Sequence, residues 1–293
     1  QDGASLVPDV EKMTLFVDGE YEISDGITAY GELLMNRRKT SVNGYRQFWG
    51  YIYNSANPFF AENPLNAGWE GAQWLSPTPI TDHSDDMIEV RYTRFMAGLT
   101  GEFGNGWSWD VHGQYSMSDG DYTSDQIYND SITDQNWLDG SCTGFNTSVR
   151  GVPCQDIPWL NPAFLAGDVD PGMREFLFGR EKGNTEYNQW DIEAFVTGDL
   201  FDMPAGSVAG AFGVNYRYDE INDVPGEITL ASNSWGSSAA GITKGDDTTM
   251  AFFGEIDAPL LAGMDLVNSL NLNASFRYTD VDSYGSDTTY KVV

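Results

Sequence analysis

Trp107-Ser108-Trp109-Asp110-Val111-His112-Gly113-Gln114-Tyr115-Ser116-Met117 alternates with a period of two. Trp107, Trp109, Val111, Gly113, Tyr115 and Met117 fall on one face, and Ser108, Asp110, His112, Gln114 and Ser116 on the other. One face suits lipid and the other suits water. The arithmetic repeats downstream. Val208, Gly210, Phe212, Val214, Tyr216 and Tyr218 oppose Ala209, Ala211, Gly213, Asn215, Arg217 and Asp219. Trp190, Ile192, Ala194, Val196 and Leu200 oppose Gln189, Asp191, Glu193, Thr197 and Asp199, with Phe195 the one large apolar residue on the wet side. Met250, Phe252, Ile256 and Leu260 oppose Glu255 and Asp257; Leu270, Leu272, Ala274, Phe276 and Tyr278 oppose Asn271, Asn273, Ser275, Arg277 and Thr279.

Weaker alternation covers Leu15 to Tyr21, Ile27 to Arg37 and Ile88 to Leu99. In the last of these the phase slips between Tyr92 and Phe95, which predicts a β-bulge. The connections are of two kinds. Short ones run from Glu22 to Gly26, Gly104 to Gly106, Phe201 to Gly206 and Leu261 to Ser269. Long ones run from about Thr40 to Asp86, Asp119 to Thr185 and Asn222 to Asp247, alternating strictly with the short ones. The last, Asp282 to Asp287, falls on the long side but is brief. An all-β antiparallel meander of about nine strands, short-turned at one end and long-looped at the other, is the pattern of an outer-membrane barrel with periplasmic turns and extracellular loops. Phe103, Trp107 and Trp109 beside one short turn, with Tyr21 and Phe201 at similar heights, form one expected interfacial girdle; Tyr115, Tyr216, Tyr218 and Tyr278 lie towards the other.

Composition narrows the function. Acidic residues outnumber basic ones 44 to 15 among 293 residues, a formal net charge of -29, and such a field repels phosphate backbones, so nucleic-acid binding is not expected. No run of about 18 apolar residues offers a helical span. Mean hydropathy is negative, as it is for strands that give only every second residue to lipid. Gln1 to Met13 has neither the basic nor the apolar region of a secretory signal. Cys142 and Cys154 favour a local disulfide and an oxidising compartment, with a free thiol pair or a metal site as the alternatives; no His stands near either Cys. There is no nucleophile elbow, no His-Glu-x-x-His, no phosphate loop and no Cys-rich metal spacing, so neither an enzyme nor a cofactor is expected.

Two stretches resemble a known family. Gly198-Asp199-Leu200-Phe201-Asp202-Met203-Pro204-Ala205-Gly206, followed by Ala211-Phe212-Gly213-Val214-Asn215-Tyr216-Arg217, resembles the "G-x-L-F-x-L-P-A-G … G-x-E-Y-R" hairpin of TonB-dependent receptors. Leu270-Asn271-Leu272 through Arg277-Tyr278-Thr279-Asp280, then Tyr284-Gly285-Ser286-Asp287-Thr288-Thr289-Tyr290-Lys291, is similar to that family's "R-Y-T-D-Y-S-x-Y-G-S-x-T-T-Y-K" segment. The resemblance implies an outer-membrane transporter whose 22-stranded barrel encloses a plug and is energised by the TonB complex. Nothing in residues 1–293 resembles the plug or the box that engages TonB, and the chain stops within a strand at Val292-Val293. It therefore reads as a partial barrel domain whose partners are outer-membrane lipid, the plug and the remaining strands.

The implied activity is uptake of a scarce siderophore, cobalamin or oligosaccharide. Candidate ligand contacts are the loop aromatics Trp49, Tyr51, Tyr53, Trp69, Trp74, Trp137, Trp159 and Trp235, which suit stacking on sugars or chelators, although a self-packed loop is the simpler reading of them. His112, Glu193, Arg217, Glu255 and Arg277 are expected on the lumenal wall, where pairing with the plug or adjacent strands is the simplest role. The acidic groups Asp280, Asp282 and Asp287, or Asp85 and Asp86, match no defined Ca²⁺ loop and read as solvated acidity. A passive porin and a soluble secreted carbohydrate-binding protein are the alternatives. The soluble alternative would bury Trp109 and Val111 in a core.

Overall fold

The computed structural model describes residues 4–44, 49–54, 72–104, 106–135, 141–159, 161–237, 239–264 and 267–293. Nine long strands form one antiparallel sheet: β1 (Asp9–Ser24), β2 (Ile27–Asn43), β5 (Asp85–Phe103), β6 (Trp107–Ile127), β7 (Phe178–Met203), β8 (Gly206–Val224), β9 (Thr243–Met264), β10 (Val267–Val281) and β11 (Gly285–Val292). Each pairs with its neighbours in chain order, as a meander must. A separate hairpin, β3 (Tyr51–Asn54) and β4 (Ala72–Leu75), sits in the first long loop. Among the described residues four short helices lie in the other loops: α1 (Asn129–Thr133), α2 (Pro162–Leu165), α3 (Pro171–Leu177) and α4 (Glu227–Leu230). Residues 136–140 and 55–71 fall outside this description, and Trp137 and Trp69 with them.

The short turns are tighter than the sequence indicates. Asp25-Gly26 joins β1 to β2 and Pro204-Ala205 joins β7 to β8. Gly26 and Gly106 occupy the left-handed region at φ 76° and 78°, which a tight hairpin demands and a side chain resists. The strands are longer than indicated, β7 reaching 26 residues. About ten residues cross a bilayer, so the strands continue well past that thickness at the long-loop end.

The register fixes the two faces. Leu33, Phe95, Tyr115, Trp190 and Tyr218 share one cross-strand row, and Leu99, Val111, Ala194, Val214, Phe252 and Tyr278 share another on the same face. Val111 is 44 % exposed, Phe252 53 % and Ile192 50 %. A continuous apolar face left this open marks a surface that something other than water covers, and among the described residues no buried core lies over Val111. The cluster of buried apolar side chains is instead in the loops, around Trp49, Ile127, Trp159, Phe164, Phe176 and Leu177.

The bulge expected between Tyr92 and Phe95 is absent. β5 keeps an unbroken register with β2 and β6 across those residues. The apolar residues change face there because Glu89 and Arg91 take over the outer positions beyond the apolar band, leaving Ile88, Val90 and Tyr92 on the other side. Register shifts occur at Glu22/Ser24, Asp199/Phe201 and Leu270/Asn271, all beside the short turns.

Candidate functional site

Opposite the apolar face runs a polar wall. One row across it reads Tyr30, Gly98, His112, Glu193, Asn215, Ala251 and Thr279; the rows on either side add Gln114, Asp191, Arg217, and Asp110, Phe195, Gly213, Phe253, Arg277. His112, Glu193, Arg217, Glu255 and Arg277 thus all lie on this face.

Their partners are mostly residues of the same wall. His112 Nδ1 lies 2.9 Å from Asp110, which also accepts from the Tyr30 hydroxyl at 2.8 and 2.9 Å. Asn215 donates to Asp191 and Glu193 at 3.2 and 3.4 Å. Arg217 Nε reaches Asp219 at 2.7 Å, and the Tyr187 hydroxyl and Gln189 amide donate to the same carboxylate at 2.5 and 2.8 Å. Asn273 donates to Glu255 at 2.6 Å. The Arg277 guanidinium lies over the Phe253 ring, 5.7 Å from its centroid. Arg94 pairs with Glu32 at 2.8 Å. The sequence names Asp110, Asn215 and Asp219 as face residues but not as hubs; a hub is visible only once cross-strand neighbours are known.

At the long-loop end the loops interlock. Tyr128 bridges to Ser234, Asn129 N–H donates to Asn233, Trp235 N–H donates to Ile127, and Thr229 donates to Glu181 through both its N–H and its hydroxyl. Arg174 pairs with Asp82 at 2.6 Å, tying the first long loop to α3. The Asp130 side chain is fully buried and holds Arg150, whose Nε lies 2.9 Å from Oδ1 while its guanidinium covers the Tyr128 ring at 3.7 Å. Burial alone would push the Asp130 carboxyl up. Hydrogen bonds from Arg150, Thr147 and Asn233, with the Arg150 charge, outweigh it and hold the group below the usual carboxylate range. Cys142 and Cys154 form a disulfide, with Cα atoms 5.7 Å apart.

The loop aromatics divide. Trp49 and Trp159 are 0 % and 2 % exposed, packed on each other at 5.5 Å and against Phe164, so they build the loop core and present no face to a ligand. His83 stacks on Phe178 at 4.6 Å in the same core. Trp235 is half-buried against it. Tyr51, Tyr53 and Trp74 lie on the β3–β4 hairpin, whose backbone pairs Tyr51 with Leu75 and Ile52 with Trp74. Among the described residues no group of three or more His, Cys, Asp or Glu is placed to hold a metal ion.

A family model described as "TonB dependent receptor-like, beta-barrel" matches residues 33–292. The chain belongs to that family. No curated protein sequence matches the chain. Among solved structures it is similar in fold to the one titled "Structure of the RagAB peptide transporter", with a TM-score of 0.54 and 10 % identity, and to the RagAB peptide importer in the "open-open" state, with a TM-score of 0.54 and 11 % identity. Each likeness covers 97 % of this chain but only 30 % and 29 % of the other. The chain therefore spans less than a third of those proteins. In transmembrane β-barrels generally, apolar side chains face the lipid and polar ones face the interior. The open sheet of nine strands is a fragment of such a barrel.

Proposed function

We infer that this chain forms part of the wall and mouth of an outer-membrane, TonB-energised importer, with the plug and remaining strands supplied by the same receptor. The observation that carries this reading is the coexistence of an exposed apolar outer face, a hydrogen-bonded polar wall and a loop layer with its own packed core. A passive porin needs the first two only. An importer also needs a shaped mouth that holds a scarce ligand.

The wall supports a choice of ligand class. Glu32, Asp110, Asp191, Glu193, Asp219, Glu255 and Asp257, with Asp18, Glu20, Asp199 and Asp223, share the inward face with Lys12, Arg38, Arg94, Arg217, Arg277 and Lys291, and an excess of one sign disfavours entry of like charge. A neutral or cationic polar ligand, such as an oligosaccharide, a cobalamin or a peptide of the kind named for the RagAB proteins, suits it better than an anionic ferric chelate. We assign ligand contact to Tyr51, Tyr53, Trp74 and Trp235, since Trp49 and Trp159 are committed to the core; Trp69 and Trp137 lie outside the described residues.

The test is uptake by cells carrying the full-length receptor. Accumulation of labelled oligosaccharide, cobalamin or peptide is expected to stop when the proton gradient is collapsed or the energising complex is deleted. Uptake that persists in both cases, together with steady conductance in planar bilayers, means a passive pore.

A further inference from the structure

The change of face along β5 puts apolar side chains on the inward wall of the mouth. Ile88, Val90 and Tyr92 take inward register positions there. Ile88 is 46 % exposed although β2 and β6 flank its strand, so the side that lies open is the lumenal one. Val90 stands five residues beyond Phe95 of the aromatic row, about 17 Å along the strand. This patch therefore lies at the height of the mouth, past the lipid-facing band.

Two cations stand beside it. Lys12 and Arg38 are direct partners across β1 and β2, and Val90 is the partner of Arg38 on β5. Every inward position adjoining Arg38, on its own strand and on the two that flank it, is uncharged or, at Lys12, a cation. The nearest inward carboxylates on β5 and β2, Asp86 and Glu32, are four and six residues along those strands, about 13 and 20 Å. Glu89 is closer in register but lies on the outer face, bound to Arg37. Among the described residues neither Lys12 nor Arg38 has a carboxylate partner, whereas Arg94 and Arg217 are held by Glu32 and Asp219. Like charges set directly opposite cost a sheet stability. Apolar ground around them strengthens their pull on any counter-charge that arrives.

Resting on the importer reading above, we propose that Lys12 and Arg38 receive a single carboxylate of the imported ligand, whose adjoining apolar group lies on Ile88, Val90 and Tyr92. The Arg38 guanidinium offers paired donors to the two carboxylate oxygens. Thr14 accepts from Asn36 at 2.7 Å and keeps its own O–H to donate. The acid excess over the rest of the wall works against a ligand of net negative charge. The ligand is thus neutral or cationic overall and carries one carboxylate beside an apolar group, as a zwitterionic peptide ending in leucine does.

The test measures binding to the purified full-length receptor by calorimetry, without energisation. The probes are a tetrapeptide ending in leucine, its C-terminal amide, and hexanoate. Wild type should bind the free acid roughly tenfold more tightly than the amide, the worth of one charge-assisted contact. Arg38→Gln should lose most of that preference while binding the amide as wild type does. Lys12→Gln should lose part of it, which keeps a readout if Arg38→Gln does not fold. Equal affinity of wild type for acid and amide, or an undiminished preference in both variants, overturns the proposal. Tighter binding of hexanoate than of the tetrapeptide overturns it as well, since the site then selects a bare anion. Uptake that ignores the proton gradient would instead sink the importer reading and leave the carboxylate preference measurable, so the two fail separately.

Discussion

The Tyr30 hydroxyl on β2 donates to both carboxylate oxygens of Asp110 on β6 by reaching across β5, over Gly98. A Cβ at Gly98 would stand 2.5 Å from the Tyr30 ring and 2.8 Å from the His112 Cβ, so the glycine is what lets one side chain clamp three strands. Gly98→Leu is therefore expected to destabilise the wall by about 1–3 kcal/mol, the cost of leaving polar groups there without partners. Tyr30→Phe should cost less, because His112 still serves Asp110. Denaturant titrations of the vesicle-inserted protein check the order; equal midpoints for all three proteins would falsify the clamp.

The disulfide acts on the loop layer rather than on the barrel. Cys142 and Cys154 are 12 residues apart and buried in the loop core, and closing a loop of that length limits the unfolded state by about 3 kcal/mol. Cys142→Ser/Cys154→Ser should raise the opening equilibrium of residues 141–157 roughly a hundredfold. Limited proteolysis should show faster cleavage there while the barrel's resistance to heating in detergent is unchanged. A barrel that melts with the loop would tie the two together.

The strands were legible because lipid imposes a period of two on every membrane-crossing segment, from Trp107 to Met117 as from Leu270 to Tyr278. Beyond the bilayer both faces of a strand meet water or loop, and the alternation no longer has a cause. This is why the last ten residues of β6 read as loop, and why the change of face at Tyr92 looked like a bulge. The site was less legible. Parity alone placed His112, Glu193, Arg217, Glu255 and Arg277 on the wall, but Trp49 and Trp159 have the composition of a stacking site and the position of a core. Only their packing against Phe164 and Phe178 separates the two.

Acid should open the loop layer from within. Asp130 is held below the usual carboxylate range against its burial by Arg150, Thr147 and Asn233. Asp82 is lowered chiefly by its hydrogen bond from Arg174, and Asp156, against its burial, by Ser141, the Cys142 N–H and Thr143. A carboxyl with a depressed folded-state pKa gives stability that is complete above its unfolded pKa, about 4, and is lost as pH falls through the folded value. Tryptophan fluorescence from the buried Trp49 and Trp159 should be flat from pH 7 to 5 and shift as pH falls below about 4. Arg150→Met leaves the Asp130 carboxylate buried without its cation and should loosen the layer already at pH 7 by about 3 kcal/mol. A loosening that grows with rising pH would reverse the sign and refute the account.

The assignment of faces makes its sharpest demand at two neighbouring positions. Ile192 on β7 is 50 % exposed on the apolar face, in register with Gly113 and Tyr216. Asn215 on β8, one row away, points to the opposite side and donates to Asp191 and Glu193. An arginine near the middle of the lipid-facing band costs about 2–4 kcal/mol, whereas one on the lumenal wall meets water and carboxylates. Ile192→Arg is thus expected to lower the folded, heat-resistant fraction recovered in vesicles by more than tenfold, and Asn215→Arg to leave it near wild type. Refolding into short-chain and long-chain lipid vesicles checks the reason as well as the sign, since the Ile192→Arg penalty should shrink in the thinner bilayer, where the guanidinium lies nearer the interface. If Asn215→Arg proves the worse of the two, the lumen lies on the other side of the sheet.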